Sequence, residues 1–287
     1  MIYRVHHLTR YGYQNPVDLS VHLAHLLPRA LPFQEVLAAS LRTEPALSWR
    51  REAVDHFGNR QAWLFVDVPH AALSVAAESR VAVHPRAVPA PGFGPPWEAV
   101  AAQAQFQAEA AEFRFPSPLA APHPEATGWA AASFPPGGDM LAGLLDLNLR
   151  IRREFRFRAG VTNIATPIAE ILRRREGVCQ DFSHLMLAML RGLGLPGRYV
   201  SGYIRTRPAP GQPRRLGADQ SHAWVGAWAG PALGWIDVDP TNGIVVSEEH
   251  VVLGWGRDYA DVVPLRGVIL GGGGQELTVA VELEAEG

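Results

Sequence analysis

The sequence has no lysine, since all 26 basic residues among its 287 are arginine. A guanidinium is always charged and cannot act as a catalytic amine, which excludes Schiff-base and P-loop lysine chemistry. There is also a single cysteine, Cys179. One cysteine excludes an internal disulfide and a cysteine-cluster metal site. The lone thiol is therefore either a small buried hydrophobe or a nucleophile.

Long apolar runs and a strong net charge are absent as well. No run approaches the roughly 20 apolar residues of a membrane helix, and Met1–His7 lacks the basic and apolar regions of a signal peptide. The formal net charge is −2 and the pI is about 6.6, so the chain has no broad basic field for nucleic acid. We predict a cytoplasmic protein with no membrane or nucleic-acid partner.

Hydrophobic residues make up 47% of the chain and charged residues 19%, which is ample for a core, and 287 residues suit two domains. Residues 1–85 are predicted to form a β-rich domain, because short aromatic and β-branched runs alternate with turn residues, as in a small sandwich or barrel-like sheet. The predicted strands are Tyr3–Tyr11, Gln34–Arg42, Leu47–Ala53, Ala62–Val68 and Ala72–Val83.

Residues 86–138 are rich in proline and alanine and are predicted to form a surface connector, with a short helix over Trp97–Phe113. Residues 139–262 are predicted to form a core in which helices precede strands. Residues 263–287 hold a last strand, Leu277–Leu283, which we expect to return to the N-terminal sheet.

Three helices are predicted in this core. The first spans Asp139–Phe155 with Asp139 as its N-cap. The second is predicted to begin with Thr166 as its N-cap and Pro167 in its first turn, and to end at Gly177. The third begins at or near Cys179. The strands that follow are predicted over residues 198–206, 221–229 and 235–238.

Cys179 therefore lies where one helix ends and another begins. A thiol at a helix N-terminus faces free backbone N–H groups and the positive end of the dipole, and both favour the nucleophilic thiolate. The same N–H groups can donate to an oxyanion. A cysteine that only fills space lies more often in the middle of an apolar helix face.

A thiolate catalyst needs a base and a group that orients the base. His222 begins a predicted strand and is the best-placed histidine, although it can equally be an ordinary strand-end residue. Asp237 and Asp239 share a face of the next strand, so periodicity does not separate them. Asp239 lies at the end of the strand, because Pro240 cannot continue it, and strand ends often present site residues. Alternatively, both acids simply begin an Asp-Pro turn.

Together these segments resemble the bacterial branch of the transglutaminase-like superfamily. The similarity lies in Gly-Val-Cys-Gln-Asp-Phe at 177–182, Ser-His-Ala-Trp at 221–224, and Gly-Trp followed three residues later by Asp-Pro-Thr at 234–241. Residues 190–203 and 256–262 resemble the same branch closely, and residues 3–29 more loosely. Three short motifs in the right order are much more specific together than any one alone.

The resemblance implies an α+β fold: a papain-like transglutaminase core of helices packed on an antiparallel sheet, preceded by an all-β N-terminal domain. It implies that Cys179 is the nucleophile, His222 the general base and acid, and Asp239, which directly precedes Pro-Thr, the orienting acid. The implied chemistry is acyl transfer or hydrolysis at a glutamine side chain or peptide bond through a thioester. The substrate is then a protein or peptide, and no metal or cofactor is expected.

Other interpretations are open at this point. A cysteine protease or amidase of the same fold would act by hydrolysis only, and a non-catalytic binding module would keep the fold without the reaction. We further expect four residues to line the substrate groove beside the thiol, namely Tyr203, Trp224, Asp258 and Tyr259.

The sequence also contains two patterns that resemble metal sites and one further histidine near the thiol. Asp237, Asp239, Thr241 and Glu248 have EF-hand spacing, but Asn242 stands where that loop requires glycine. The pairs His6-His7 and His22/His25 lack a convincing third ligand, so we expect surface or strand-pairing histidines there. His184, five residues after Cys179, is expected to be structural.

Overall fold

The computed structural model describes residues 1–92, 94–206 and 220–286. The strands are β1 Ile2–Ala24, β2 Gln34–Glu44, β3 Trp49–Val54, β4 Arg60–Val66, β5 His70–Val83, β6 Arg156–Phe157, β7 Glu176–Gly177, β8 Gly197–Ile204, β9 Gln220–Trp228, β10 Trp235–Asp239, β11 Ile244–Val245, β12 His250–Gly256, β13 Leu265–Gly271 and β14 Gln275–Glu286. The helices are α1 Trp97–Ala104, α2 Ala108–Ala111, α3 Pro124–Ala131, α4 Met140–Glu154, α5 Ile168–Arg174 and α6 Cys179–Gly192, with 3-10 turns over Glu112–Arg114 and Tyr259–Asp261.

The long strand β1 organises the N-terminal sheet, which has the order β2-β5-β1-β4-β3, with β13 and β14 also paired to β1. Its first half pairs with β5 and β14, and its second half with β4 and β13. The strand expected over Leu277–Leu283 lies within β14, which runs antiparallel to β1 from Ile2 opposite Glu286 to Tyr13 opposite Gln275. Residues from both ends of the chain therefore share one sheet.

The second sheet is antiparallel and has the order β11-β10-β9-β8-β12. Helix α6 packs on it, and its residues from Asp181 to Arg191 are all buried. The apolar face of α6 meets α4 and β9 in the largest core cluster. This layer of helices on an antiparallel sheet confirms the predicted fold class.

Residues 86–138 do not form the surface connector that we expected. Helices α1, α2 and α3 and a 3-10 turn lie in this segment, and apolar residues from them are buried in the largest core cluster, among them Val100, Ala104, Phe113, Ala126 and Ala130. Alanine fits closely packed helices, so a Pro/Ala-rich composition does not by itself indicate a surface linker.

The segment is also held by Arg191 of α6. The buried Arg191 guanidinium donates to the carbonyl oxygens of Phe113 and Ala120 and to the hydroxyl of Ser117. These bonds satisfy carbonyl groups that would otherwise be buried without partners.

The helix ends show one confirmed cap and two corrections. The Asp139 carboxylate accepts from the Ala142 N–H at 2.7 Å, as expected of an N-cap. Thr166 is not a cap, because its hydroxyl accepts from the Asn163 N–H and the helix begins at Ile168. Gly177 does not end α5, because Arg175 adopts a left-handed conformation at φ 54° and closes that helix earlier. Within the described residues, no helix has both the length and the apolarity needed to cross a membrane.

Two buried carboxamides of the N-terminal sheet complete the open edge of β12. Gln34 accepts from the Val252 N–H and donates to the Val252 carbonyl, both at 2.8 Å. Asn59 does the same for Trp255, at 2.9 Å and 2.7 Å. Each side chain thus replaces a neighbouring strand for one residue of this edge and satisfies backbone groups that would otherwise be unpaired.

We expect Gln34→Ala to lower the free energy of unfolding by about 2–5 kcal/mol, because it leaves two buried backbone groups of Val252 without partners. Gln103→Ala is the matched control, since Gln103 is exposed on α1 and its loss should change stability by at most about 0.5 kcal/mol. Urea unfolding followed by tryptophan fluorescence measures both. Equal midpoints for the two variants would refute the docking role of Gln34.

Candidate active site

The residues before α6 place Cys179 at its first turn. The Asp181 carboxylate folds back to accept from the Val178 N–H at 2.7 Å and from the Thr162 hydroxyl at 2.6 Å. A Cβ on Gly177 would lie 2.7 Å from that carboxylate, so the position requires glycine. Burial raises the pKa of Asp181, and the two hydrogen bonds partly offset this. Gly-Val-Cys-Gln-Asp is thus a packed turn that presents the thiol.

Cys179 is the first residue of a helix of 14 residues, and its side chain is half-buried. The backbone N–H groups of a first helical turn have no acceptor within the helix and lie at the positive end of the macrodipole. The thiol therefore lies beside donors and a dipole that favour negative charge on sulfur or on a nearby oxygen.

His222 of β9 and Asp239 of β10 are joined by a buried hydrogen bond. His222 Nε2 lies 2.8 Å from Asp239 Oδ2. Cys179 lines the same cavity as His222 and is close enough to raise the pKa of the imidazole. Since Nε2 faces Asp239, Nδ1 is the nitrogen left for sulfur. The structure therefore brings together all three residues that the sequence motifs singled out.

Asp239 is surrounded by donors. Its carboxylate accepts from the backbone N–H groups of Thr241 and Asn242 at 2.9 Å and 3.2 Å, from the Asn242 amide at 2.7 Å, and faces His250 Nε2 at 3.4 Å. Burial alone would raise the pKa of Asp239, but the hydrogen bonds from His222, His250 and Asn242 hold it well below its ordinary value. Asp239 is therefore an anion at neutral pH.

Burial alone would lower the pKa of His222. The hydrogen bonds to Asp239 and Cys179, together with the charges of those two groups, outweigh burial and raise the pKa to about 10. The His222 imidazole beside the thiol is therefore a cation at neutral pH.

A cavity of about 330 Å³ opens beside the thiol. Cys179, His222 and Tyr199 line it from the core. The facing side comes from the paired strands β1 and β14, through residues that include Thr9, Tyr11, Leu277 and Val279. The sequence motifs did not foresee that the N-terminal sheet forms one wall of this cavity, because that wall depends on pairing between opposite ends of the chain.

Of the four expected groove residues, only Tyr259 lines the cavity. Tyr203 is buried between the two sheets, where its hydroxyl lies 2.9 Å from His7 Nδ1. Trp224 is fully buried in a separate apolar cluster, with its ring edge-on to His250. Asp258 is buried and accepts from the N–H groups of Leu119 and Ala260. None of these three residues lines the cavity, which corrects the expectation that they line the groove.

His250 is the site residue that the sequence analysis missed. It follows two glutamates at the start of β12, and no motif marks it. Ligand atoms of His222, Asp239 and His250 all lie within 4.8 Å of one another, so this buried group could hold a metal ion. The oxygens of Asp239 are already occupied by the hydrogen bonds above, and the observed arrangement is a hydrogen-bonded network.

The two remaining candidates from the sequence, Asp237 and His184, bind other residues. Asp237 is buried in ion pairs with Arg86 at 2.9 Å and Arg198 at 3.5 Å, so it does not share a calcium loop with Asp239. His184 accepts from the Tyr259 N–H at 3.2 Å and so supports the cavity wall.

Of the early histidines, His6, His7 and His22 lie in the paired strand β1, as the strand-pairing expectation required. His7, His22 and His25 are all buried. Among the described residues none of them joins a cluster of three metal-ligating side chains.

Two family models match the chain. The bacterial transglutaminase-like N-terminal region matches residues 3–82, and the transglutaminase-like superfamily model matches residues 135–240. An uncharacterized protein of Mycobacterium tuberculosis is 41% identical over 280 residues, covering 93% of this chain and 87% of that protein. The chain belongs to the transglutaminase-like superfamily.

Further relatives span very different lengths. An uncharacterized protein of Mycobacterium leprae is 32% identical over 284 residues, covering 98% of this chain and 97% of that protein. A protein-glutamine gamma-glutamyltransferase of Pseudomonas aeruginosa is 38% identical over 68 residues, which cover 23% of this chain and 10% of that protein.

A solved structure shows the same fold. A protein from Cytophaga hutchinsonii described as a proposed cysteine protease superimposes with a TM-score of 0.77 at 21% identity, over 99% of this chain and 90% of that chain. The two chains therefore share one fold over almost their whole length.

The raised pKa of His222 predicts a specific pH dependence of stability. Its folded pKa of about 10 exceeds the ordinary 6.5, so its contribution is fully present below pH 6.5 and is lost as the pH rises through 10. The difference in unfolding free energy between the native chain and His222→Gln should therefore shrink between about pH 6.5 and 10, measured by urea unfolding.

His184→Gln is the matched control for this experiment. Burial lowers the pKa of His184 to about 4, so this residue is neutral in both states above about pH 7.5. Its stability difference should be flat from there to pH 10. A flat profile for His222→Gln as well would show that the imidazole is not held in its protonated form.

Proposed function

We propose that Cys179, His222 and Asp239 form a catalytic triad that transfers or hydrolyses acyl groups of a protein or peptide substrate through a thioester. The observation that carries the proposal is the buried His222 imidazole, which hydrogen-bonds Asp239 at 2.8 Å and lines the same cavity as the Cys179 thiol. A nucleophile, a base and an orienting group in that order are the requirements of covalent acyl catalysis.

The proposed reaction has two steps. The Cys179 thiolate attacks the amide carbonyl carbon, a C–S bond forms, and His222 gives its proton to the nitrogen as the C–N bond breaks, so ammonia or an amine leaves. Water or a second amine then attacks the thioester, and His222 takes a proton from that nucleophile as the C–S bond breaks. The thiolate and the imidazolium are restored.

The tetrahedral intermediate carries an oxyanion that needs donors. The backbone N–H groups of Cys179 and Gln180 lie at the free N-terminal turn of α6. Tyr199 lines the same cavity, and burial together with the charge of Cys179 raises the pKa of its phenol well above the ordinary value. Tyr199 therefore keeps its proton, and we propose its hydroxyl as the second oxyanion donor.

The relatives support an amide as the substrate. The match to a protein-glutamine gamma-glutamyltransferase covers only 68 residues, so it supports a glutamine side chain as acyl donor without fixing the acceptor. None of the 287 residues is lysine, so a lysine acceptor would have to come from another molecule. Hydrolysis alone is the second candidate function, favoured by the shared fold of the proposed cysteine protease.

Because Cys179 is the only cysteine, alkylation reports on one thiol. We expect iodoacetamide to label the native protein near neutral pH, because a thiolate is the reactive form. We also expect Cys179→Ser to abolish ammonia release from glutamine peptides and His222→Gln to slow alkylation. Labelling that appears only after denaturation would refute the triad.

The same assay separates transfer from hydrolysis. If an added primary amine is incorporated while ammonia is released, the enzyme transfers; if ammonia forms equally without the amine, it hydrolyses. New peptide N-termini without ammonia would indicate a protease instead.

The oxyanion role of Tyr199 predicts that Tyr199→Phe lowers kcat by about 100-fold with little change in KM, because one donor to the transition state is lost. Tyr13→Phe is the control, since it removes the hydroxyl of a buried tyrosine of the N-terminal sheet that does not line the cavity. Comparable kcat values for the two variants would show that Tyr199 lines the cavity without donating to the oxyanion.

A further inference from the structure

Five arginines lie within nine residues, at positions 150, 152, 153, 156 and 158. Two of them have partners. The Arg150 guanidinium lies 4.0 Å from the centre of the Trp129 ring and donates to the Ser133 hydroxyl at 2.7 Å. Arg158 pairs with Glu176 at 3.2 Å. Arg150 and Arg158 therefore contribute to the fold through their own contacts.

The other three, Arg152, Arg153 and Arg156, are exposed and have no acidic partner among the residues that the structure describes. All three line one cleft of about 900 Å³, which we call the arginine cleft. It is lined by Arg152, Arg153, Phe155, Arg156, Phe157, Ile204, Arg205, Thr206, His222, Thr241, Asn242, Ile244 and Glu249.

The charge on this wall is strongly one-sided. Four arginines line the cleft, with Arg205, directly after β8, as the fourth, and among the described residues of the lining Glu249 is the one acid. The chain as a whole has a net charge of −2, so this concentration of positive charge is local. Phe157 is 52% exposed and Ile244 40%, which adds apolar surface beside the charges.

The arginine cleft reaches the triad. His222 lines both this cleft and the cavity that holds Cys179. Thr241 and Asn242, whose N–H groups donate to Asp239, also lie on the cleft wall. A Cβ on Gly243 would lie 2.9 Å from Arg152 Cβ, so the turn that holds Asp239 rests on the stem of that arginine.

We propose that the arginine cleft binds an acidic segment of the polypeptide substrate beside the reacting amide. Guanidinium forks match carboxylates, and the exposed Phe157 and Ile244 suit apolar side chains between them. This inference rests on the proposed acyl chemistry, since it supplies the substrate class for that same site. The cleft ends at the His222 imidazole, which exchanges protons with the leaving group and with the acceptor in the proposed acyl reaction. A peptide substrate therefore fits the cleft better than a nucleic acid.

The test compares two glutamine peptides that differ only in their flanking residues, aspartate in one and asparagine in the other. We expect the native enzyme to prefer the aspartate peptide in kcat/KM, and added NaCl to reduce this preference. In the triple variant Arg152→Gln/Arg153→Gln/Arg156→Gln, the ratio of kcat/KM for the aspartate peptide to that for the asparagine peptide should fall by about tenfold. The fall is limited because each exposed ion pair contributes only modestly to binding.

The control is Arg42→Gln/Arg51→Gln/Arg173→Gln, which removes the same charge from three exposed arginines that line neither cavity. It should keep the native preference. Equal loss in both triple variants would overturn the proposal, because net charge alone would then explain the effect. Replacing the three cleft arginines by glutamate should shift preference to a lysine-flanked peptide, which a merely unfolded variant would not do.

Binding to Cys179→Ala, measured by fluorescence anisotropy of the labelled peptides, separates this inference from the proposed reaction. Tight binding of the aspartate peptide without turnover by the native enzyme would support the cleft while refuting the acyl chemistry. Equal binding of both peptides, or stronger binding of a single-stranded oligonucleotide than of the aspartate peptide, would overturn the cleft proposal.

Discussion

The contact on which the site depends most is the docking of the N-terminal sheet onto the edge of β12 by Gln34 and Asn59. A carboxamide carries one donor and one acceptor, so it can satisfy a backbone residue as a neighbouring strand would. Apolar packing between the sheets, through Tyr3, Val251 and Leu283, excludes water from these bonds. Without this docking, β1 and β14 would not lie opposite the thiol.

The parts of the site that the sequence predicts are those set by local geometry. Cys179 can be placed because a glycine turn precedes an apolar stripe at helical spacing, and Asp239 because proline ends its strand. The motif order then points to His222. The last strand could be expected to return because its alternation needs a partner sheet.

What could not be predicted depends on contacts between distant segments. His250 reaches Asp239 only through the order of strands in the second sheet. Tyr203 and Trp224 belong to the segments that carry the family resemblance, yet Tyr203 is buried by the N-terminal sheet and Trp224 lies in a cluster against which Leu31 and Phe33 pack. No local pattern reveals which face a distant segment will cover.

The absence of lysine fits the way this fold uses positive charge. Arg198 is buried with its guanidinium 4.4 Å from the Trp235 ring and 3.8 Å from the Trp255 ring while it pairs with Asp237. Burial lowers the pKa of Arg191 to about 10, which leaves its five-donor fork charged at neutral pH. A planar, delocalised cation can stack and bond several carbonyls at once, which an ammonium group cannot.

The pairing of β14 with β1 also orders events during synthesis. Leu277 and Val279 complete the cavity wall, yet the ribosome adds them after all three triad residues. Domains fold as the chain emerges, so a nascent chain can assemble Cys179, His222 and Asp239 while the cavity still lacks one side. The cavity beside Cys179 is thus enclosed only after β14 has been made and has paired with β1, a strand at the opposite end of the chain.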